Sequence, residues 1–137
     1  MANTLREYAL GIKFNRGKEL YDKFNDDFIY ADQYTDDQYD SMLALPGIIP
    51  VPCLTQLDRD LISQHFVEEF VLKHYGRDPS IKKIFKKICG KNPGEYNIRR
   101  FAEETNFEKE LSSYITNYLM PQAARWCEEN GIPYIED

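Results

Sequence analysis

Lys82, Lys83, Lys86 and Lys87, in "DPSIKKIFKKICG", form the strongest chemical pattern in this chain of 137 residues. At about 100° per residue, a helix places all four on one arc and Ile81, Ile84, Phe85 and Ile88 on the opposite one. An apolar face of that kind docks on a core and leaves a row of ammonium groups outside. Such a row neutralises phosphates, or the carboxylates of an acidic protein surface. Arg99 and Arg100 follow a turn later and extend the basic stretch. From Arg77 to Arg100 there are eight basic and two acidic residues, a local balance of +6. The remaining residues hold nine basic and twenty-one acidic ones, so the whole chain carries −6. That total argues against a protein that binds nucleic acid over its whole surface.

The acidic counterpart lies upstream, where no Lys or Arg occurs between Lys23 and Arg59. If residues 32–43 are helical, Asp32, Asp36 and Asp40 share a face, with Asp37 beside it. A loose divalent-cation site is conceivable there, but the glycine and terminal glutamate of a calcium loop are missing. An acidic face offered to a basic partner suits the spacing better. Other reactive groups are sparse. His65 and His74 are nine residues apart, so on one helix they point to opposite sides and cannot pair on a metal. Cys53, Cys89 and Cys127 are odd in number, widely spaced and without a CxxC pair, which fits free thiols in a reducing compartment. Neither a G-x-G-x-x-G nor a Walker loop occurs. The residues therefore point to a protein without catalytic, metal or cofactor site.

The elements that must position these groups are mostly helical. Thr55 caps a helix over residues 56–75 in which Leu57, Leu61, Ile62, Phe66 and Phe70 recur at helical spacing, with Gly76 as the stop. Asp78 and Pro79 start the basic helix, residues 79–89, and Gly90 ends it. A short helix is expected near Ile98–Glu104. Thr105 and Glu108 have capping-box spacing ahead of a long helix carrying Phe107, Leu111, Tyr114, Ile115, Tyr118 and Leu119 as one stripe. Pro121 is expected to kink or end it, and Gly131 to stop the turns that follow. Upstream, Leu5–Leu10 and Lys18–Phe24 read as weak helical pieces. "FIY" and "GIIPV" are the only β-like runs, and Pro46, Pro50 and Pro52 force an extended course around the second. The expected fold is thus mainly α: a small bundle of four to five helices over residues 54–137. An acidic, Tyr- and Pro-containing arm, residues 1–53, precedes it, extended and with little core of its own. No run approaches the roughly 20 apolar residues of a membrane span, and the start lacks the apolar core of a secretory signal. No membrane partner is expected, and the implied location is the cytoplasm, or a virion if the chain is of phage origin.

Two local resemblances bear on function. "DRDLISQHFVEEF" with "NFEKELSSYITNYLMPQ" resembles phage collar and tail-connector proteins, through Ile62, His65, Phe66, Phe107, Leu111, Ile115, Met120 and Pro121. That resemblance implies a non-enzymatic structural or assembly protein of a virion, with other protein subunits as partners in a homo- or hetero-oligomer. "FKKICGKNPGEYNIRR" resembles the end of the helix-turn-helix in AraC-type activators, through Phe85, Lys86, Lys87, Gly90, Pro93, Glu95, Tyr96 and Arg99. It implies a regulator whose helix 79–89 enters the major groove of DNA. The acidic stretch suggests a third role, an inhibitor that mimics nucleic acid if Asp26 to Asp40 line up outward like phosphates. The assembly protein is the leading expectation and the DNA-binding regulator the second.

Overall fold

Thr4 opens the first helix, α1 (Leu5–Phe14), with a reciprocal cap: its hydroxyl accepts from Glu7 N at 3.2 Å and its own N–H donates to the Glu7 carboxylate at 3.2 Å. The computed structural model describes residues 3–136 and continues mainly as helix. Strands β1 (Leu20–Asp22), β2 (Asp27–Ile29) and β3 (Ile48–Pro50) follow, with the short helix α2 (Tyr39–Leu43) before β3. Next come α3 (Gln56–Phe66), a π turn over Val67–Val71, and α4 (Leu72–Tyr75), which follow one another without a break in the helical backbone. Then follow α5 (Pro79–Ile88), α6 (Glu95–Thr105) and α7 (Glu108–Glu129). The chain divides into two units, one of Met1–Leu54 with Leu119–Asp137 and the other of Thr55–Tyr118. Helix α7 gives its first half to the second unit and its last half to the first.

The first unit corrects the expected arm. Residues before Leu54 do not extend away without a core. Tyr8, Ala9, Ile12, Leu20, Tyr21, Ile48 and Val51 are buried together with Leu119, Ala123, Trp126, Cys127 and Ile132 from the chain's end. Burial of so many apolar side chains, at about 25 cal/mol per Å², is the main force holding such a unit. The first unit ends its N-terminal stretch at Leu54, and residues from Leu119 on belong to it as well. The segment read as helix over Lys18–Phe24 is instead the central strand of a three-stranded sheet. β1 pairs antiparallel with β2 on one side and β3 on the other, Tyr21 facing Phe28 and Ile49. Fully buried Asn15 ties the turn before β1 to the strand exit: its amide donates to the carbonyls of Val51 at 2.8 Å and Pro52 at 3.0 Å. Its side-chain oxygen accepts from Gly17 N at 2.7 Å. The two ends of the unit meet in a parallel bridge in which Leu5 N donates to Ile135 O at 2.8 Å.

The second unit is purely helical, as the spacing predicts. Its core holds Phe66, Val67, Val71, Cys89, Ile98, Phe101, Ala102, Phe107 and Leu111. The cap at Thr55 forms, its hydroxyl accepting from Asp58 N at 3.1 Å. Leu57 and Leu61 do not join the core; the buried stripe of α3 is centred on Ile62, Ser63 and Phe66, about 100° away. Thr105 does not cap α7 either. It sits in the last turn of α6, donating to Phe101 O at 2.8 Å, and Asn106 closes that helix in the left-handed conformation. α7 runs on through Pro121 to Glu129 and ends where Ile132 N donates to Cys127 O across Gly131.

Candidate interaction surface

Asp78 launches α5: its carboxylate accepts from Ser80 N at 2.9 Å and Ile81 N at 3.3 Å, and Pro79 fills the first helical position. Gly90, with φ of +66°, turns the chain at its end, a conformation that favours glycine. Between these, Ile81, Ile84, Phe85 and Ile88 lie half-buried against the core, Phe85 edge-on to Phe101 with ring centroids 5.2 Å apart. Lys82, Lys83, Lys86 and Lys87 are all exposed, and among the described residues none of them forms an ion pair. The expected ridge is therefore present. It is an unfavourable local arrangement, since Lys82–Lys86 and Lys83–Lys87 are like charges one turn apart.

Helix α6 contributes less than expected. Arg99 and Arg100 are exposed, but about 100° apart around the helix, and each has a glutamate one turn on, Glu103 and Glu104. Arg100 lies over the ring of Tyr96, 5.9 Å from its centroid, and Tyr96 is 62% exposed. That cation–aromatic pair was not singled out by motif, although its i, i+4 spacing is visible in the sequence. Helix α6 begins at Gly94, which has no side chain to cap with. Asp60 on α3 supplies the carboxylate instead, accepting from Glu95 N at 2.8 Å and from the Gln56 amide at 2.9 Å. The Glu95 N–H, then Gln56, hold the Asp60 carboxyl below its ordinary value.

The acidic face is rearranged. Residues 32–43 do not form one helix. Two single 3₁₀ turns, Ala31–Gln33 and Asp36–Gln38, are separated by extended backbone at Tyr34 and Thr35, because Gln33 and Gln38 each reach back to the N–H that opens their own turn. Asp32 is thus cut off from Asp36 and Asp40. Asp36 pairs with Lys18 at 2.6 Å, and the Tyr34 hydroxyl donates to the Lys18 carbonyl. Asp32, Asp37 and Asp40 remain exposed and form no ion pair among the described residues. Asp26 turns inward to Tyr8, Tyr21 and Asn3. A regular outward line of carboxylates is not there.

Cys89 and Cys127 are buried, whereas Cys53 is exposed. The Cys89 and Cys127 thiols are both pushed up to about 11 by burial, which keeps them protonated and poor nucleophiles near neutral pH. His65 rests edge-on to Tyr118 at 5.8 Å, and His74 lies beside Phe70 at 5.3 Å. Among the described residues, no three His, Cys, Asp or Glu side chains gather as a metal ion would require, and no helix is long and apolar enough to cross a membrane. On α3, Leu57 is 66% and Leu61 43% exposed, an outward apolar pair one turn apart, and Leu72 of α4 is exposed as well. The chain matches no known protein family, no curated protein and no solved structure.

Proposed function

We propose that this protein is a non-enzymatic assembly subunit that acts by protein–protein contact, of the kind that builds the connector or tail of a phage particle. The observation that carries the reading is the outward pair Leu57 and Leu61. α3 already buries Ile62 and Phe66 against its own core, so it is apolar on two stripes, and a helix of that pattern has a second surface to cover. The exposed tyrosines and the bare lysine ridge fit the same use, since contact surfaces favour aromatic residues and complementary charge. Sedimentation and light scattering test it. The wild-type chain is expected to form species well above its 16.2 kDa monomer, and L57E/L61E to shift them to smaller species with an unchanged helical spectrum. A monomer at every concentration, unaffected by these changes, removes the reading.

The second reading, a DNA-binding regulator, is favoured by the bare lysines of α5 next to the Gly90 turn and α6. It ranks lower because Arg99 and Arg100 each have a glutamate one turn on and the chain is acidic overall. Retardation of duplex DNA that weakens steeply with salt is its signature. The nucleic-acid mimic has the least support, since Asp26 and Asp36 are both engaged within the chain.

A further inference from the structure

We propose that the lysine ridge of α5 takes the acidic, aromatic segment Phe24–Leu45 of a second copy of this chain, joining copies head to tail. This deepens the assembly reading and rests on it. Lys82, Lys83, Lys86 and Lys87 occupy one exposed face, with no ion pair among the described residues. Their mutual repulsion is not offset by any acid within α5 itself. Segment 24–45 carries the complementary set. Asp27, Asp32, Asp37 and Asp40 are exposed and likewise without an ion pair among the described residues, whereas Asp36 pairs with Lys18.

Charge alone steers more than it binds. The same segment, however, exposes Phe24 at 74%, Tyr30 at 52% and Leu45 at 54%. Carboxylates interleaved with large outward apolar side chains make a contact surface that is charged at its rim and can be desolvated at its centre. The ridge provides the matching form, because lysine stems are apolar up to the ammonium group and cover such rings well. A polyphosphate chain would satisfy the lysines, but it offers nothing to Phe24, Tyr30 and Leu45 and is opposed by the −6 of the whole chain.

Ridge and segment are different patches, one on each unit of the chain, so the contact is heterologous. Each copy that docks presents a free ridge or a free segment to the next. Such contacts build rings when the rotation closes and filaments when it does not.

Charge reversal gives the test. The ridge variant is K82E/K83E/K86E/K87E and the segment variant is D27K/D32K/D37K/D40K, both confined to exposed side chains. In the first, ridge and segment are both acidic; in the second, both are basic. Each variant alone is expected to lose the head-to-tail contact and to sediment as species smaller than the wild-type assemblies, no larger than Leu57 and Leu61 alone can hold together. An equimolar mixture is expected to recover at least half of the wild-type association, in alternating order. Raising salt from about 0.05 M to about 0.5 M is expected to weaken wild-type association about tenfold or more. Folding of each variant is checked by its thermal transition. Wild-type-sized assemblies from either variant alone overturn the inference while leaving the assembly reading in place. A mixture no larger than either variant alone overturns it too. A wild type that is monomeric throughout overturns both. Salt-sensitive DNA binding by the wild type, lost in the ridge variant and without self-association, gives the ridge to nucleic acid.

Discussion

The phenol oxygens of Tyr8 and Tyr21 stand 2.9 Å apart, with their rings edge to face at 5.5 Å, and both hydroxyls converge on one carboxylate oxygen of Asp26. Asn3 donates to the same atom at 3.3 Å. Asp26 holds a φ of +54°, an unusual conformation for a residue other than glycine, so the turn between β1 and β2 is locked through this carboxylate. Tyr21→Phe removes a buried bond to a charged acceptor and is expected to destabilise the protein by about 2 kcal/mol. Tyr8→Phe, whose hydroxyl also has Tyr21 and the Pro133 carbonyl in reach, is expected to cost less, about 1 kcal/mol. Urea denaturation of both variants and their combination checks this, and the double variant should fall short of the sum because the groups share one acceptor.

Alkaline pH is expected to undo the fold in a defined window. Burial, above all, holds Tyr8, Tyr21 and Tyr114 above the ordinary 10.0, and Tyr21 and Tyr114 donate to Asp26 and Glu69 besides. Burial likewise moves Cys89 and Cys127 from 9.0 to about 11. In each case the folded chain keeps a proton that the unfolded chain gives up. The contribution of the two cysteines is therefore complete below about pH 9 and lost as pH rises through about 11, whereas that of the tyrosines begins to fall above 10 and goes on falling beyond 11. The urea midpoint should be level from neutral pH to about 9 and fall above it, and Tyr21→Phe should fall less steeply.

Asp60 is a tertiary cap, supplied to α6 by another helix. Asp60→Ala leaves the Glu95 N–H without its acceptor and is expected to cost about 1 kcal/mol, with Asp60→Asn retaining part of it. Because the carboxyl is held below 3.8 in the fold, this contribution is present above that pH and lost as pH falls beneath it. The difference in thermal midpoint between wild type and Asp60→Ala should therefore shrink in acid.

Much of the second unit was legible in the sequence because its signals are local. The Thr55 cap, the Asp78–Pro79 start, the Gly90 stop and the opposed faces of α5 all sit within a turn or two of what they control. The first unit was misread because its signals are not. Leu20–Asp22 is a strand only by pairing with residues 27–29 and 48–50, and Tyr8 and Tyr21 are core only because Trp126 returns to them. Thr105 and Glu108 matched a pattern whose geometry needs a free helix start, and Thr105 still belongs to α6. In the candidate surface, the lysine ridge was readable from periodicity. The broken acidic face was not, because glutamine side chains closing two separate turns leave no periodic trace.

A single reversal on the ridge should separate stability from use. Lys83→Glu removes the repulsion from Lys87 and replaces it by a glutamate one turn before a lysine, the favourable order. α5 is expected to gain about 0.5 kcal/mol, seen as a raised thermal midpoint, while self-association weakens. A variant that is both less stable and fully associating would show that the ridge is neither frustrated nor used.

The split of the first unit across the chain's two ends sets the order in which the molecule can be made. A ribosome delivers Thr55–Tyr118 in one uninterrupted run, so that unit has all of its core before Leu119 is added. Residues 5–54 emerge earlier yet cannot close, because Leu119, Ala123, Trp126 and Cys127 are still untranslated. The nascent chain thus carries Tyr8, Ile12, Leu20 and Tyr21 uncovered for the whole time that the later unit is being built, and residues 119–132 then complete the core that residues 5–54 began.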